Sequence, residues 1–262
     1  MWDGPDAELN DTINTQPALF VHSLAAFRTF SHLYPNLMPA SMAGHSLGEL
    51  SALAAAGALS FEDGLRLVRK RGELMKHAGT LAPGGMAAIL GVDIPTLDKV
   101  CADASTPDEL VQVANDNCPG QVVISGAKAA VERAMAGAKA AGAKRALPLA
   151  VSIAAHSPLM ASIQAEWTEA VNSANFLRPQ ISVIGNVYAA TLGDEDAARA
   201  DIIAQMQSRV RWTESVKLMA AQGINTFVEV GTGSVLGGLV KRIADGVTSY
   251  PLGTPADFAA LE

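Results

Sequence analysis

Residues 41–56 read Ser41-Met42-Ala43-Gly44-His45-Ser46-Leu47-Gly48-Glu49-Leu50-Ser51-Ala52-Leu53-Ala54-Ala55-Ala56. A short strand, 41–44, breaks at a Gly-x-Ser-x-Gly pentapeptide and passes straight into 47–56, whose Ala and Leu content suits a helix. A strand that turns sharply into a helix around a serine is the nucleophile-elbow arrangement. The tightness of that turn predicts small residues two before and two after Ser46. The helix N-terminus presents free backbone N–H groups, the Leu47 amide first, where an oxyanion would develop. The same pentapeptide also occurs in Gly-flanked turns with no chemistry, so its partners decide the reading.

Outward from the elbow, the chain alternates short Val/Ile-rich runs with long Ala-rich stretches, the pattern of an α/β fold. Upstream, 14–33 reads as a helix with Thr15-Gln16-Pro17 at its start. Downstream, 61–77 reads as a helix capped by Ser60, with Asp63 three residues on. From Gly84-Gly85 the texture changes: strand 86–90, helix 94–104, strands 110–115 and 121–125 around a Pro119-Gly120 turn, helix 128–141, strand 145–149. That βαββαβ order predicts a ferredoxin-like small domain over 84–148, about 65 residues and within the usual domain range. After it come helix 158–174, buried strand 181–186, helices 197–207 and 213–222, strand 226–230, then Gly231-Thr232-Gly233 and a helix to about Ala244. Residues 1–83 and 149–262 are therefore expected to form one hydrolase-like, parallel-sheet α/β domain interrupted by the small one.

Composition narrows the function classes. Hydrophobic residues make up 49% of the 262, enough for a substantial core. With 26 acidic against 19 basic residues the net charge is −7, which disfavours binding to a nucleic-acid backbone. The apolar-rich stretch 50–61 is too short to cross a bilayer, and the Met1-Trp2 start has neither the basic nor the apolar region of a secretory signal. Cys101 and Cys118 make neither a disulfide framework nor a zinc site. The expectation is a soluble cytoplasmic protein, a monomer, with no membrane or nucleic-acid partner.

A serine nucleophile needs a base. Of the five histidines, His22, His32 and His77 fall on polar faces of predicted helices and read as solvated. His45 is held in the elbow beside the serine. His156 follows the apolar run 150–155 and precedes Ser157-Pro158, a helix start, in the kind of loop where α/β sites gather. Standing alone it would be a packed or capping histidine; beside an elbow serine it is the best available base. No acid stands out to orient it. Asp116 and Asp194 are candidates, but their turn-like sequences account for them, and a backbone carbonyl could fix the tautomer instead. Arg71 lies on the apolar stripe of the 61–77 helix with Leu67, Val68, Leu74 and Met75, unlike Arg66, Arg69 and Lys70. Such an arginine either snorkels or holds a buried partner; as a ligand its fork matches a carboxylate.

Together these residues resemble the malonyl-CoA:acyl carrier protein transacylases of bacterial fatty-acid synthesis. The resemblance spans the chain. It rests on Thr15-Gln16-Pro17-Ala18, Gly44 to Glu49, Arg71-Gly72, the run Asn117-Cys118-Pro119-Gly120-Gln121-Val122-Val123-Ile124-Ser125-Gly126, and His156-Ser157 with Met160. Gln205 with Trp212, and Glu229 to Gly233, complete it. It implies that Ser46 carries a malonyl ester, with His156 as general base and Gln205 offering the carbonyl that orients it. Leu47 N–H would be an oxyanion donor, and Arg71, with His45 nearby, would bind the malonyl carboxylate. The implied partners are malonyl-CoA, or coenzyme A, and acyl carrier protein, with no metal or redox cofactor. Ala155 stands where relatives often carry serine or phenylalanine, and Gly231-Thr232-Gly233 replaces Gly-Pro-Gly. The resemblance also implies a preceding strand and a Gly-Gln-Gly-Ser-Gln loop that this chain does not show, so an N-terminally truncated member is expected. Since losing one oxyanion donor costs about 10²–10³ in kcat, a catalytically impaired fragment is one alternative. A polyketide-type acyltransferase is another, disfavoured by the compact end near Glu262. An α/β serine hydrolase would need an acid between serine and histidine. A dinucleotide reading of Gly231-x-Gly233 fails, because too few residues follow for a βαβ unit.

Overall fold

A computed structural model describes residues 3–260; the Met1-Trp2 start and Glu262 lie outside the described residues. The chain is α/β. Helices α1 (Asp6–Leu9) and α2 (Thr12–Leu33) lead to strand β1 (Ser41–Ala43), followed by α3 (Leu47–Ala55) and α4 (Phe61–Leu81). Helix α2 starts earlier than its proline suggested: Asp11 caps it by accepting from Ile13 N, so Pro17 lies inside the helix rather than in its first turn. Pro17 cannot donate to the Ile13 carbonyl, and Arg69 Nη1 approaches that oxygen at 3.5 Å instead. Ser60 caps α4 as its sequence predicts, accepting from Asp63 N at 3.0 Å. Helices α2 and α4 pack closely through glycines of α4. A Cβ on Gly64 would stand 2.4 Å from the Phe20 ring, and one on Gly72 would stand 2.8 Å from the Thr12 carbonyl. That approach puts Gln16 of α2 beside Arg71 of α4.

Next come β2 (Gly84–Leu90), α5 (Ile94–Ala104), β3 (Val111–Cys118), β4 (Gln121–Ala127), α6 (Lys128–Ala140) and β5 (Arg145–Pro148). The four strands form one antiparallel sheet in the order β3-β4-β2-β5. Leu97, Cys101, Val131, Ala134 and Ala138 of the two helices share a separate core with the sheet's inward residues. Strand β3 is irregular, with register shifts between Val113 and Asn115 and between Asp116 and Cys118. Such bulges re-aim a strand. Here the bulged segment exchanges backbone hydrogen bonds with Val210, 2.9 Å from Asp116 N and 2.8 Å to Ala114 O, and so ties this sheet to the rest of the protein.

Beyond β5, the segment expected to be one helix over 158–174 is split. Pro158–Ile163 winds as a 3₁₀ helix, and α7 (Gln164–Ser173) follows. Strand β6 (Ser182–Ile184) pairs parallel to β1. Helices α8 (Glu195–Gln205) and α9 (Trp212–Ala221) precede β7 (Thr226–Val230), α10 (Val235–Ile243), β8 (Thr248–Leu252) and α11 (Pro255–Ala259), with β7 parallel to β8. Strand β8 escapes a sequence reading because Pro251 sits inside it, and proline demotes a run to an edge. The expected single parallel sheet is instead two separate pairs, β1-β6 and β7-β8. Between them runs a largely apolar cleft of about 730 Å³, lined by Met42, Leu47 and Trp212 among others on one side and by Phe227, Val230 and Leu236 on the other. The largest core lies under α2, α3, α4, α7 and α8, around Phe20, Leu50, Leu53, Ile163 and Trp167.

Candidate active site

Strand β1 ends at Gly44, and the chain reverses through His45 and Ser46 into α3. Ser46 has φ 53° and ψ −111°, a backbone state that costs a non-glycine residue of order 1–3 kcal/mol and persists only when its surroundings enforce it. Two constraints enforce it. A Cβ on Gly44 would lie 1.9 Å from the Gly48 carbonyl oxygen, so only glycine allows the turn to close. Asn186, just after β6, spans the turn: its Oδ1 accepts from Ser46 N at 2.7 Å, and its Nδ2 donates to Gly44 O at 2.8 Å. The expectation of a required small residue after the serine is corrected, since a Cβ on Gly48 meets nothing within 4 Å. Its Cβ direction leads into open space, whereas that of Gly44 leads into backbone. At the head of α3, Gly48 N donates to His45 O and Glu49 N to Ser46 O. No acceptor within the described residues takes the Leu47 N–H.

His156 also carries a positive φ, 57°, in the loop between β5 and the 3₁₀ helix. Gln112 of β3 clamps that loop, donating to both His156 O and Gln207 O at 2.8 Å. The ring is buried. Its Nδ1 lies 2.9 Å from the Gln205 carbonyl and its Nε2 lies 2.8 Å from Ser46 Oγ. A carbonyl only accepts, so the neutral ring carries its proton on Nδ1 and offers the Nε2 lone pair to the serine hydroxyl. Burial, reinforced by the Arg71 charge, pushes His156 down to about 3, so the ring is neutral at physiological pH. Among the described residues no acid completes a triad. Asp116 accepts from Thr213 Oγ1 at 2.6 Å, and Asp194 caps α8 by accepting from Ala197 N.

Arg71 is 2% exposed. Its Nη1 donates to Gln16 Oε1, and its Nη2 donates to both Ser46 Oγ and Gln205 Oε1, each at 2.9 Å. Among the described residues no carboxylate forms an ion pair with it. Desolvation lowers it to about 10, opposed by Glu49, and it stays a cation. A buried guanidinium held only by neutral oxygens is poised for an anion. His45 is half-buried beside the serine, its Nε2 2.8 Å from Asn117 Oδ1 and its ring edge-on to Trp212; burial lowers its basicity. The solvated reading of His22 is corrected: its ring nitrogens lie 2.6 Å from Thr232 Oγ1 and 2.9 Å from the Gly253 carbonyl. His32 and His77 are exposed.

The fold thus brings Ser46, His156, Arg71 and Gln205 into one hydrogen-bonded cluster. It adds Gln16, Asn186 and Glu49, which sequence reasoning gave no role. Gln16 and Glu49 stood inside the quoted motifs, and the signal that singled out Arg71, a polar residue on an apolar helix face, applies to both. Among the described residues no group of three or more His, Cys, Asp or Glu is placed to hold a metal, and no helix is long and apolar enough to cross a membrane.

The family model for the acyl transferase domain matches residues 2–251. A malonyl CoA-acyl carrier protein transacylase of Haemophilus influenzae is 45% identical over 259 residues, which is 99% of this chain and 83% of that protein. Among solved structures, an acyl carrier protein S-malonyltransferase from Vibrio cholerae superposes with a TM-score of 0.95 at 44% identity, covering 99% of this chain and 84% of the other. A malonyl-transacylase solved in complex with its type II polyketide acyl-carrier protein matches with a TM-score of 0.93 at 41% identity, over 98% of this chain and 83% of the other.

Proposed function

The chain belongs to the acyl transferase family, among the malonyl-CoA:acyl carrier protein transacylases, and on that premise we propose that it moves a malonyl group from coenzyme A to the phosphopantetheine thiol of an acyl carrier protein in fatty-acid synthesis. One observation carries the reading to this chain: Ser46 Oγ is held by both a neutral histidine nitrogen and a buried arginine that pairs with no carboxylate among the described residues. His156 Nε2 takes the Ser46 proton as Oγ attacks the thioester carbonyl. The charge on that oxygen develops near the Leu47 N–H at the head of α3. The C–S bond breaks, the leaving thiolate takes that proton from Nε2, and a malonyl ester remains on Ser46. Arg71 turns its fork from neutral oxygens to the malonyl carboxylate. In the second half His156 accepts the proton of the incoming carrier thiol, the thiolate attacks the ester, and Ser46 Oγ leaves with that proton. The Gln205 carbonyl keeps Nδ1 protonated throughout, the task an aspartate performs in a triad.

The same reading covers the architecture: residues 84–148 form a ferredoxin-like domain inserted in a hydrolase-like domain of 1–83 and 149–262. Its support is the β2-α5-β3-β4-α6-β5 order with strand order β3-β4-β2-β5. The setting is cytoplasmic, in keeping with two buried free thiols, Cys101 and Cys118. The proposal is tested by the fate of the acyl-enzyme. Malonyl-enzyme freed of coenzyme A should discharge rapidly to a holo acyl carrier protein and slowly to water. Discharge to water at a rate the carrier does not change points to a hydrolase and refutes the reading.

A further inference from the structure

Two buried acids lie behind the site without any role in proton transfer. Glu49, in the first turn of α3, is 0% exposed, and Asp201 of α8 is 1% exposed. Asp201 Oδ2 accepts from Asn186 N and Val187 N at 3.1 Å each. Its Oδ1 lies 2.6 Å from the position a Cβ on Gly185 would take. Glu49 Oε2 accepts from Gln205 Nε2 at 2.6 Å. The remaining oxygens, Glu49 Oε1 and Asp201 Oδ1, are both buried with no donor. The Asp201 carboxyl stands against that of Glu49, and a proton on Glu49 directed at Asp201 gives both orphaned oxygens a partner, which a pair of bare carboxylates could not. The groups that face Glu49 are Asp201 and Gln205 of α8, the Asn186 backbone beyond β6, and Arg71 of α4. Burial, with Asp201 alongside, holds the Glu49 carboxyl well above its ordinary range.

We propose that Glu49 is a specificity-determining positioning residue: sharing a proton with Asp201, it stays uncharged, fixes the Gln205 amide, and leaves Arg71 without a counter-charge until an acyl group bearing a carboxylate enters. The amide orientation follows from the bonds. With Gln205 Nε2 committed to Glu49 and to Ser46 O at 3.1 Å, its Oε1 is left for Arg71. The flipped amide would aim N–H groups at the guanidinium. An ionised Glu49 would sit one amide away from Arg71 and serve as its counter-ion, weakening the demand for a substrate carboxylate. The inference rests on malonyl transfer through Ser46 and predicts that the site discriminates against acyl groups without a carboxylate.

The test is the ratio of kcat/KM for malonyl and acetyl thioesters in two single variants, followed against pH, with folding monitored by circular dichroism. Glu49→Gln copies the uncharged form and should keep the wild-type ratio. Asp201→Asn places a donor where the proton acceptor stood, lets Glu49 ionise, and should lower the ratio about ten- to a hundredfold, the worth of a hydrogen bond to a charged group. Lowering the pH, which reprotonates Glu49, should restore the ratio in Asp201→Asn, which a merely structural role of Asp201 would not allow. A ratio that stays equally low at every pH in Asp201→Asn, or falls in Glu49→Gln as far as in Asp201→Asn, overturns the proposal. If Asp201→Asn does not fold, infrared spectroscopy decides. The wild type at neutral pH should show the carbonyl band of a protonated carboxylic acid that Glu49→Gln lacks; a wild type without that band also overturns it. A wild type with no preference for malonyl would fail the proposed function itself, a result distinct from any in the variants.

Discussion

Replacing Arg71 separates substrate recognition from the chemistry it accompanies. In the free chain the guanidinium makes three hydrogen bonds, to Gln16, Gln205 and Ser46 Oγ, and has no carboxylate partner among the described residues. In the proposed mechanism its fork meets the malonyl carboxylate. A hydrogen bond to a charged group contributes roughly 1.5–3 kcal/mol, so Arg71→Ala, losing the carboxylate contact and the Ser46 Oγ contact, should cost malonyl transfer about 3–6 kcal/mol, or about 10²–10⁴ in kcat/KM. Acetyl transfer loses only the contact with Ser46 and should fall about ten- to a hundredfold. Lysine keeps the charge but cannot span Gln16, Gln205 and a carboxylate with one ammonium, so Arg71→Lys should recover part of the malonyl loss and no more. The assay is rapid-quench acylation with each thioester, read by intact mass, alongside thermal midpoints to show that both variants fold. Equal losses for malonyl and acetyl in Arg71→Ala would refute the reasoning and leave Arg71 a structural cation.

Three further outcomes follow from particular contacts. Because burial lowers His156 to about 3, its protonation should not limit kcat/KM near the ordinary histidine value of about 6.5; an acid limb centred near 6.5 and abolished by no other change would contradict the buried, neutral ring. The same depression makes the folded chain bind fewer protons than the unfolded one between those two values, so this residue's contribution to stability is present above about 6.5 and declines as pH falls below it. Chemical denaturation of wild type and His156→Gln, compared from pH 7 to pH 5, should show the wild type losing more stability. At the elbow, Gly44→Ala pushes a Cβ into the Gly48 carbonyl and should cost 3 kcal/mol or more, at the upper end of about 1–3 kcal/mol for overpacking. Gly48→Ala, with open space around the new Cβ, should leave the thermal midpoint unchanged or raise it by the equivalent of about 0.5–1 kcal/mol.

The parts of this fold that a sequence exposes are those with local causes. Strand, elbow and helix at 41–55 were legible because Gly44 and the Ala/Leu run of α3 act within one turn of each other. The β2-to-β5 unit was legible because each element alternates at its own period and the Pro119-Gly120 turn separates two strands. Ser46, His156 and Arg71 each stood out as a residue at odds with its setting. What stayed hidden depends on long-range approach. Asn186 reaches Ser46 across 140 positions and Asp201 reaches Glu49 across 152, and no local pattern marks either pairing. The division of the parallel strands into two pairs is likewise a matter of distance between β1 and β7 that no periodicity encodes. Pro17 misled for a local reason, since Asp11 caps α2 a full turn before the proline.

The most direct measurement is the mass of the protein after brief incubation with malonyl-CoA and an acid quench. The account predicts one malonyl adduct per chain, mapped to the peptide containing Ser46, absent from Ser46→Ala, and lost when a holo acyl carrier protein is added before the quench. An adduct on any other residue, or one that survives Ser46→Ala, would contradict it.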